Sequence, residues 1–482
     1  MPARRTAALA LTAAVLAVLS YDLATRRQLG TLAGLTDEWI ALGANLAVHG
    51  TLGLEHEPWL LRPPGYPAFI ALPLFLAGAP RVVTMAYLDR AQGLVFAAQA
   101  LALAASALLT FLWLSRSLRP VQALAAAVTL ALNPLSVALV GLLQYGVLHV
   151  LGIVAGLWLL DTALAGWPER RLPAWAAGAL WGLVSLVRPQ TLLLPPFVFL
   201  AWLFRARRPG LKQAAAAALV FAAAEAAVVA PWTARNYVVS GRFVPVNLQG
   251  WANVWAATLR PLPVDTESYR WSTFGADILA IQEQVTGRRA YDLLTYVHFN
   301  AELEQAYRRE SLANLRRQPG VFALNAVRTL RTLATGTSTV LLAAFRLAQR
   351  PEVSLSAEWF APGAPHPFDA ERLRAGFRAF SLALSLLAGM GLLAGLVRRS
   401  GPAWVTAVVA VALLAAHAGV HLEFTYLYVK LPFLVVLAAV GTSLLSGRSL
   451  RAPGGRRVDL GDAVAVLVAL GALSLTVRLL RP

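Results

Sequence analysis

The sequence contains no cysteine among its 482 residues, which excludes a disulfide, a thiolate zinc site and an iron–sulfur centre bound by cysteine. Charged side chains are scarce, at 14% of the chain, whereas soluble globular proteins carry about 25%. Lysine is nearly missing: only Lys212 and Lys430 occur, so the net charge of +18 comes from arginine. The usual composition of a soluble protein is therefore absent.

What the chain has instead is apolar side chains, at 58% of all residues, gathered into blocks. Blocks of roughly 20 residues match a hydrocarbon layer about 30 Å thick, and a segment in that layer must satisfy its own backbone as a helix. The arginines cluster between the blocks, where membrane topology places them, which disfavours nucleic-acid binding as the reason for the charge. The composition predicts an all-α polytopic membrane protein.

Arginine placement predicts the topology, because short basic loops face the cytoplasm. We expect about 11 transmembrane helices (range 11–13), with the N-terminus inside and residues 1–20 as a retained signal anchor rather than a cleaved signal peptide. The apolar stretch 171–205 lies between two basic loops, so it must cross twice. Its turn falls at Arg188-Pro189, which we therefore place at the outer side.

The chain divides into three regions on this topology. Residues 1–230 form an N-terminal transmembrane module with a first periplasmic loop at about 21–86. Residues 231–370 form a second periplasmic loop with juxtamembrane helices, and residues 371–482 supply the C-terminal transmembrane helices. The half-apolar segment 327–350 carries arginines, and we expect it to be interfacial or re-entrant. Loops this long are usually functional.

The first outer loop contains adjacent acids, Asp37 and Glu38, before an apolar helix. The helix dipole stabilises an ionised carboxylate at this end, and such a group can take a proton from a hydroxyl nucleophile. The alternative is an ordinary helix cap with solvated acids.

Four cations lie at the outer ends of spans: Arg62, Arg188, Arg235 and Lys430. Ionisable residues at membrane depth are functional candidates, and cations at one level favour an anionic headgroup. The alternative is that each is an independent anchor to lipid phosphates.

Several blocks, taken in order, resemble the GT-C glycosyltransferases, specifically the family 39 and aminoarabinose-transferase-like membrane enzymes. The resemblance rests on Asp37-Glu38 followed by residues 62–67 (RPPGYP), on Arg188-Pro189, on residues 231–245 (PWTARNYVVSGRFVP) and on residues 423–432. The stretch 304–320 also looks like the juxtamembrane helix of this group.

The resemblance implies an inverting transfer of a sugar from a polyprenyl phosphate to an acceptor hydroxyl, at the periplasmic face of a bacterial inner membrane. Asp37, with Glu38 beside it, would be the general base, and the four cations would hold the donor phosphate. Candidate sugar or acceptor contacts are Tyr66, Glu57, His56, Gln144, Tyr145, Glu423 and Tyr426.

The sequence departs from the family pattern at three positions. Gln144 replaces an acid, Leu61 replaces an acid before the Arg-Pro-Pro element, and Thr425 stands where an arginine often precedes the tyrosine. A divalent metal ion is left open as a cofactor, although the sequence gives no support to a site for it, and no other cofactor is indicated. Two alternatives to the transferase remain, a transporter or flippase of lipid-linked sugars and a non-catalytic lipid-binding protein of the same fold.

Overall fold

The computed structural model describes residues 11, 15, 39–54, 57–78, 85–141, 144–205, 210–248, 250–262, 275–287, 300–335, 370–418, 428–447, 449–451 and 457–480. These residues are helical almost throughout, so the predicted all-α class is confirmed. Four strands of two or three residues form two antiparallel ladders, β1 (Gly53–Leu54) with β2 (Glu57–Pro58) and β3 (Ser449–Arg451) with β4 (Arg457–Asp459).

The helices of the first half differ widely in length. In order they are α1 (Trp39–His49), α2 (Gly65–Leu76), α3 (Met85–Leu114), α4 (Pro120–Ala131), α5 (Pro134–Val140), α6 (Gly146–Gly166), α7 (Leu172–Val187), the 3-10 helix Pro189–Leu193, α8 (Leu194–Leu203) and α9 (Leu211–Ser240).

The helices of the second half fall into an intermediate group and a C-terminal group. The first group is α10 (Gly250–Leu259), α11 (Gly275–Thr286), α12 (Asn300–Arg317) and α13 (Pro319–Thr335). The second group is α14 (Ala370–Arg398), α15 (Gly401–Ala418), α16 (Lys430–Ser443) and α17 (Leu460–Leu480).

The protein is a multi-pass membrane protein. In the described part of the chain, six helices are long and apolar enough to cross a bilayer: α3, α6, α9, α14, α15 and α17. The α4–α5 pair, bent by 49°, makes a seventh if it is one span. Helices α1, α2, α7, α8 and α16 are apolar but shorter. A helix of 16 residues is only about 24 Å long, so the count of about eleven spans stays a prediction.

Two helix boundaries differ from the sequence expectation. The apolar stretch 120–142 is long enough for one continuous span, but Pro134 lacks a backbone N–H, and Asn133 accepts from Leu135 N at 2.9 Å to begin a new helix there. We expected a span to end near Pro231, yet α9 continues through that proline. It ends at Gly241, whose φ of +66° and N–H bond to Tyr237 O make the left-handed cap.

Glycines allow the helices of the bundle to approach closely. A Cβ at Gly391 on α14 would lie 1.9 Å from Leu437 O on α16. A Cβ at Gly178 on α7 would lie 2.2 Å from Phe221 O on α9. Small residues at helix crossings are how membrane bundles gain packing contacts, since lipid supplies no hydrophobic drive between helices.

Helices α10 to α12 form a second, smaller core around Trp255 and Tyr307, whose ring centroids are 5.0 Å apart. At the start of α10, Glu304 on α12 accepts a 2.7 Å hydrogen bond from Trp251 N. Residues 327–335 of the predicted interfacial segment belong to α13, where Val327 is 64% exposed. Residues 336–350 lie outside the described part, so the interfacial placement stays a prediction.

Candidate active site

Arg188 lies at the break between α7 and the 3-10 helix. A residue before proline is disfavoured in the helical region, and Arg188 accordingly has φ −144° and ψ 113°. Pro189 then opens the next helix, where a missing N–H has no consequence. The turn that we predicted at Arg188-Pro189 is therefore present as a helix break, and the side chain, only 4% exposed, points into the protein.

An arginine–tyrosine–histidine cluster surrounds this side chain. Arg188 Nη1 donates to Tyr428 OH at 3.4 Å, and Nε donates to Gln190 Oε1 at 3.2 Å. His149 Nδ1 lies 3.1 Å from the same hydroxyl. A tyrosine hydroxyl is neutral near pH 7 and can both donate and accept a hydrogen bond. It can accept from Arg188 while donating to a neutral His149, a tautomer that we assign from these partners.

An aromatic wall joins Arg188 to Arg62. Arg188 Cζ lies 5.1 Å from the centroid of the Tyr145 ring, which meets Trp39 edge to face at 5.3 Å. Trp39 in turn carries Arg62 Cζ at 5.4 Å from its ring centroid. Both contacts are within cation–π range. Two of the four predicted cations thus lie at opposite ends of one pair of rings in edge-to-face contact.

Tyr66 supports this wall from behind. Its ring meets Trp39 at 5.7 Å, and its hydroxyl donates to Gln99 Oε1 at 2.9 Å. Gln99 Nε2 donates onward to Val140 O at 2.7 Å. Tyr66 is completely buried. Its contacts therefore hold Trp39 in place, whereas Tyr145 is only half-buried and can meet a ligand.

The other predicted residues divide into those the structure describes and those it does not. Lys430 begins α16, two residues after Tyr428, and is half-buried; Gln144 is buried beside Tyr145. Glu57 belongs to strand β2. Outside the described residues lie Asp37, Glu38, His56, Glu423 and Tyr426.

Arg235 contacts the backbone of the first outer loop. Its Nη2 donates to Leu52 O at 2.9 Å, its Nη1 donates to Trp59 O at 3.2 Å, and its Cζ lies 4.6 Å from the Trp232 ring centroid. Leu52 and Trp59 flank the β1–β2 ladder of the first loop. These contacts make Arg235 a clamp on that loop.

Neighbouring residues extend the clamp. Asn236 Nδ2 donates to Val244 O and Val246 O, at 3.1 and 3.0 Å, and Asn247 Nδ2 donates to Leu61 O at 2.7 Å. Leu61 directly precedes Arg62. The block 231–247 therefore fixes the backbone from which Arg62 projects.

Sequence reasoning missed His149 and Tyr428. His149 stands inside an apolar run of α6, and a single histidine there gives no pattern. Tyr428 lies within the block 423–432, in which the sequence predicts Tyr426, two residues earlier, as the sugar or acceptor contact. Among the described residues, no three histidine, aspartate or glutamate side chains group closely enough to hold a metal ion.

No protein-family model matches the chain, and no curated protein sequence matches it. Solved structures do match. The oligosaccharyltransferase AglB of Archaeoglobus fulgidus, in complex with an inhibitory peptide and a dolichol-phosphate, has a TM-score of 0.52 and 15% identity over 97% of this chain and 55% of that one. The same enzyme tethered to an acceptor peptide gives 0.52 and 17%, over 97% of this chain and 54% of that one.

ArnT of Cupriavidus metallidurans, bound to undecaprenyl phosphate, has a TM-score of 0.41 and 14% identity, over 95% of this chain and 84% of that one. The chain spans about half the length of the oligosaccharyltransferase. At this level of identity the likeness shows the fold, which is the GT-C fold that the sequence predicted.

Proposed function

We propose that this GT-C chain is an inverting glycosyltransferase that moves a sugar from a polyprenyl-phosphate donor to an acceptor hydroxyl. The observation that carries the proposal is the pair of guanidinium groups, Arg62 and Arg188, held on one aromatic wall inside a membrane protein. We propose that the wall opens on the extracytoplasmic side of a bacterial inner membrane, as arginine placement predicts.

Arg188 suits a lipid phosphate. Guanidinium remains charged when buried and donates to phosphate oxygens in a fixed fork, and the donors of Arg188 are oriented in advance by Tyr428 and Gln190. A preorganised cation stabilises the charge that grows on a departing phosphate. The matching oligosaccharyltransferase structure holds a dolichol-phosphate, which is a polyprenyl phosphate, and this supports the same class of donor here. We propose Lys430 as a further contact to the phosphate.

The proposed reaction is a single displacement at the anomeric carbon. The acceptor oxygen forms a bond to that carbon while the bond from carbon to phosphate oxygen breaks, and its electron pair leaves with the lipid phosphate. The acceptor proton passes to Asp37. Asp37 precedes Trp39 by two residues in the sequence, so the chain tethers the proposed base to the wall residue. This covalent tether, together with the family resemblance, supports Asp37 as the general base, with Glu38 beside it.

The half-buried Tyr145 is the best-placed aromatic contact for the sugar, with Gln144 beside it. We propose that Tyr66 affects ligand binding by holding the Trp39 ring in place and does not contact the sugar itself. For the acceptor, we propose contacts from the loop residues Glu57, His56, Glu423 and Tyr426. The contacts of Arg235 lead us to propose a scaffold role for it in place of phosphate binding.

The proposal is tested in two assays with the full chain. Mass spectrometry of cell-envelope glycans, with and without the gene, should show a missing sugar that Asp37→Asn does not restore. Purified protein should bind undecaprenyl phosphate, and Arg188→Gln should weaken binding about 10- to 100-fold, as expected for loss of a charge-assisted contact. Arg116→Gln is the matched control, because Arg116 also stacks on an aromatic ring, at 4.6 Å from Trp158, on the predicted cytoplasmic side.

The alternatives give different results in the same assays. If the protein is a flippase, loss of the gene leaves the sugar profile unchanged but alters the distribution of the lipid-linked sugar between the two leaflets. If the protein only binds lipid and has no catalytic role, the Asp37→Asn variant restores the wild-type glycan profile fully. Either outcome would contradict the transferase.

A further inference from the structure

A chain of buried oxygen atoms connects Glu225, in the middle of α9, to the backbone of Arg188. Glu225 Oε1 and Ser185 Oγ are 3.1 Å apart, and Ser185 Oγ and Thr191 Oγ1 are 2.7 Å apart. Thr191 Oγ1 donates to Arg188 O at 3.0 Å. The chain therefore crosses the helix break, with Ser185 before it and Thr191 after it.

Close packing of α7 on α9 makes this chain feasible. A Cβ at Gly182 would lie 2.8 Å from Glu225 O, so only glycine permits this approach. Ser185 follows Gly182 by three residues and lies on the same helix face. Glu225 is 2% exposed, and both hydroxyl residues are completely buried. A buried polar side chain that no water reaches must find its partners within the protein.

Proton counting decides the state of Glu225. The chain has three oxygen–oxygen contacts, and each needs one hydrogen. Ser185 and Thr191 supply one each. The third hydrogen must come from a protonated Glu225, which then donates to Ser185, Ser185 to Thr191, and Thr191 to Arg188 O. A neutral acid also avoids the large cost of burying an ionised carboxylate, because Glu225 Oε2 has no hydrogen-bond partner within the described residues.

We propose that Glu225 is a positioning residue: as a neutral acid, acting through Ser185 and Thr191, it fixes the backbone at the helix break and thereby aims the Arg188 guanidinium at the donor phosphate. The consequence for donor binding rests on the proposed function, whereas the consequence for the position of Arg188 does not.

The first measurement is independent of any substrate. Phenylglyoxal modifies accessible arginines, and mass spectrometry of the detergent-solubilised protein quantifies modification of Arg188, which is only 4% exposed. We expect Glu225→Ala, and the nearly isosteric Thr191→Val, to raise this modification about tenfold, the effect of losing about one hydrogen bond of the chain. Glu225→Gln and Thr191→Ser should stay at the wild-type level, because a neutral amide and a hydroxyl both keep the donors.

The second measurement is the affinity for undecaprenyl phosphate alone. It should fall about tenfold in Glu225→Ala and return in Glu225→Gln. Asp161→Asn is the matched control. The Asp161 carboxylate, on α6, accepts from Trp113 Nε1 at 2.8 Å and takes no part in the hydrogen bonds from Glu225 to Arg188, so neither readout should change. If Glu225→Ala does not fold, Thr191→Val against Thr191→Ser carries the same test.

The results separate this inference from the proposed function. Unchanged Arg188 modification in folded Glu225→Ala and Thr191→Val overturns the positioning role, and so does a Glu225→Gln variant that behaves like Glu225→Ala. Wild-type protein that does not bind undecaprenyl phosphate, with the expected pattern of arginine modification, refutes the donor and leaves the positioning role standing.

Discussion

Replacing Asn236 by alanine tests whether the block 231–247 is a clamp. Asn236 is completely buried on α9; it donates to Val244 O and Val246 O and accepts from Arg235 Nη1 at 3.1 Å. The two valines are each only 2% exposed. The substitution therefore leaves two buried carbonyls without this donor.

The magnitude follows from these contacts. A typical intramolecular hydrogen bond contributes about 1 kcal/mol net, and an unsatisfied buried group costs roughly 1–3 kcal/mol. Two lost donations and one lost acceptor give a destabilisation of about 3 kcal/mol for Asn236→Ala. Asn236→Asp keeps the shape and the acceptor but removes both donors, so we expect it to be at least as destabilising.

The assay is thermal unfolding in detergent, followed by tryptophan fluorescence, with donor affinity measured on the same samples. Both variants should lower Tm by several degrees and weaken binding of undecaprenyl phosphate, because the clamp fixes the backbone before Arg62. Asn253→Ala is the control, since Asn253 Oδ1 on α10 has no partner among the described residues. Wild-type stability of Asn236→Asp, or an equal loss in Asn253→Ala, would refute the reasoning.

Two further predictions concern stability elsewhere. Gly391→Ala should lower Tm through overpacking of about 1–3 kcal/mol, because its Cβ would lie 1.9 Å from Leu437 O, whereas Gly389→Ala, with nothing within 4 Å, should not. Burial raises the pKa of Glu304 to about 7, although the backbone N–H groups of Trp251, Ala252 and Gly250 lower it. The folded state thus favours the neutral acid, and this stabilisation, on the order of 3 kcal/mol, is full below about pH 4.5 and is lost as pH rises through 7. Tm measured at pH 5 and pH 8 should show this fall in the wild type, and a smaller fall in Glu304→Gln.

Much of the fold could be predicted because the bilayer fixes the length of an apolar helix. The apolar stretch 402–421 has the length of one span and is observed as α15, Gly401–Ala418, and the break at Arg188 followed from parity and from the constraint before proline. The sequence alone does not tell that the helix bends at Pro134 but continues through Pro231 in α9. Proline alone does not say whether the following residues leave the bundle; Gly241, further on, sets the end of α9.

The candidate site was predictable only in part, because its contacts join residues far apart in the chain. Arg188 and Tyr428 are 240 positions apart, and His149 and Tyr428 are 279 apart. Topology could place residues 188 and 428 at the same end of the bundle. Pairing them required the packing of α6, α7 and α16 against one another, which apolar periodicity does not specify when helices are hydrophobic on all sides.

The block PWTARNYVVSGRFVP shows why a specific motif does not by itself identify reacting groups. Thr233 donates to Pro245 O and Asn236 donates to Val244 O, so hydrogen bonds within the block hold the residues after α9 against the end of that helix. Arg235 has the charge and the position that a phosphate ligand needs, yet its donors meet loop carbonyls. The direction of a side chain depends on which partner packs against it. A motif in this fold can therefore be specific because it holds the loop that carries a binding residue, here Arg62, rather than because it binds the substrate.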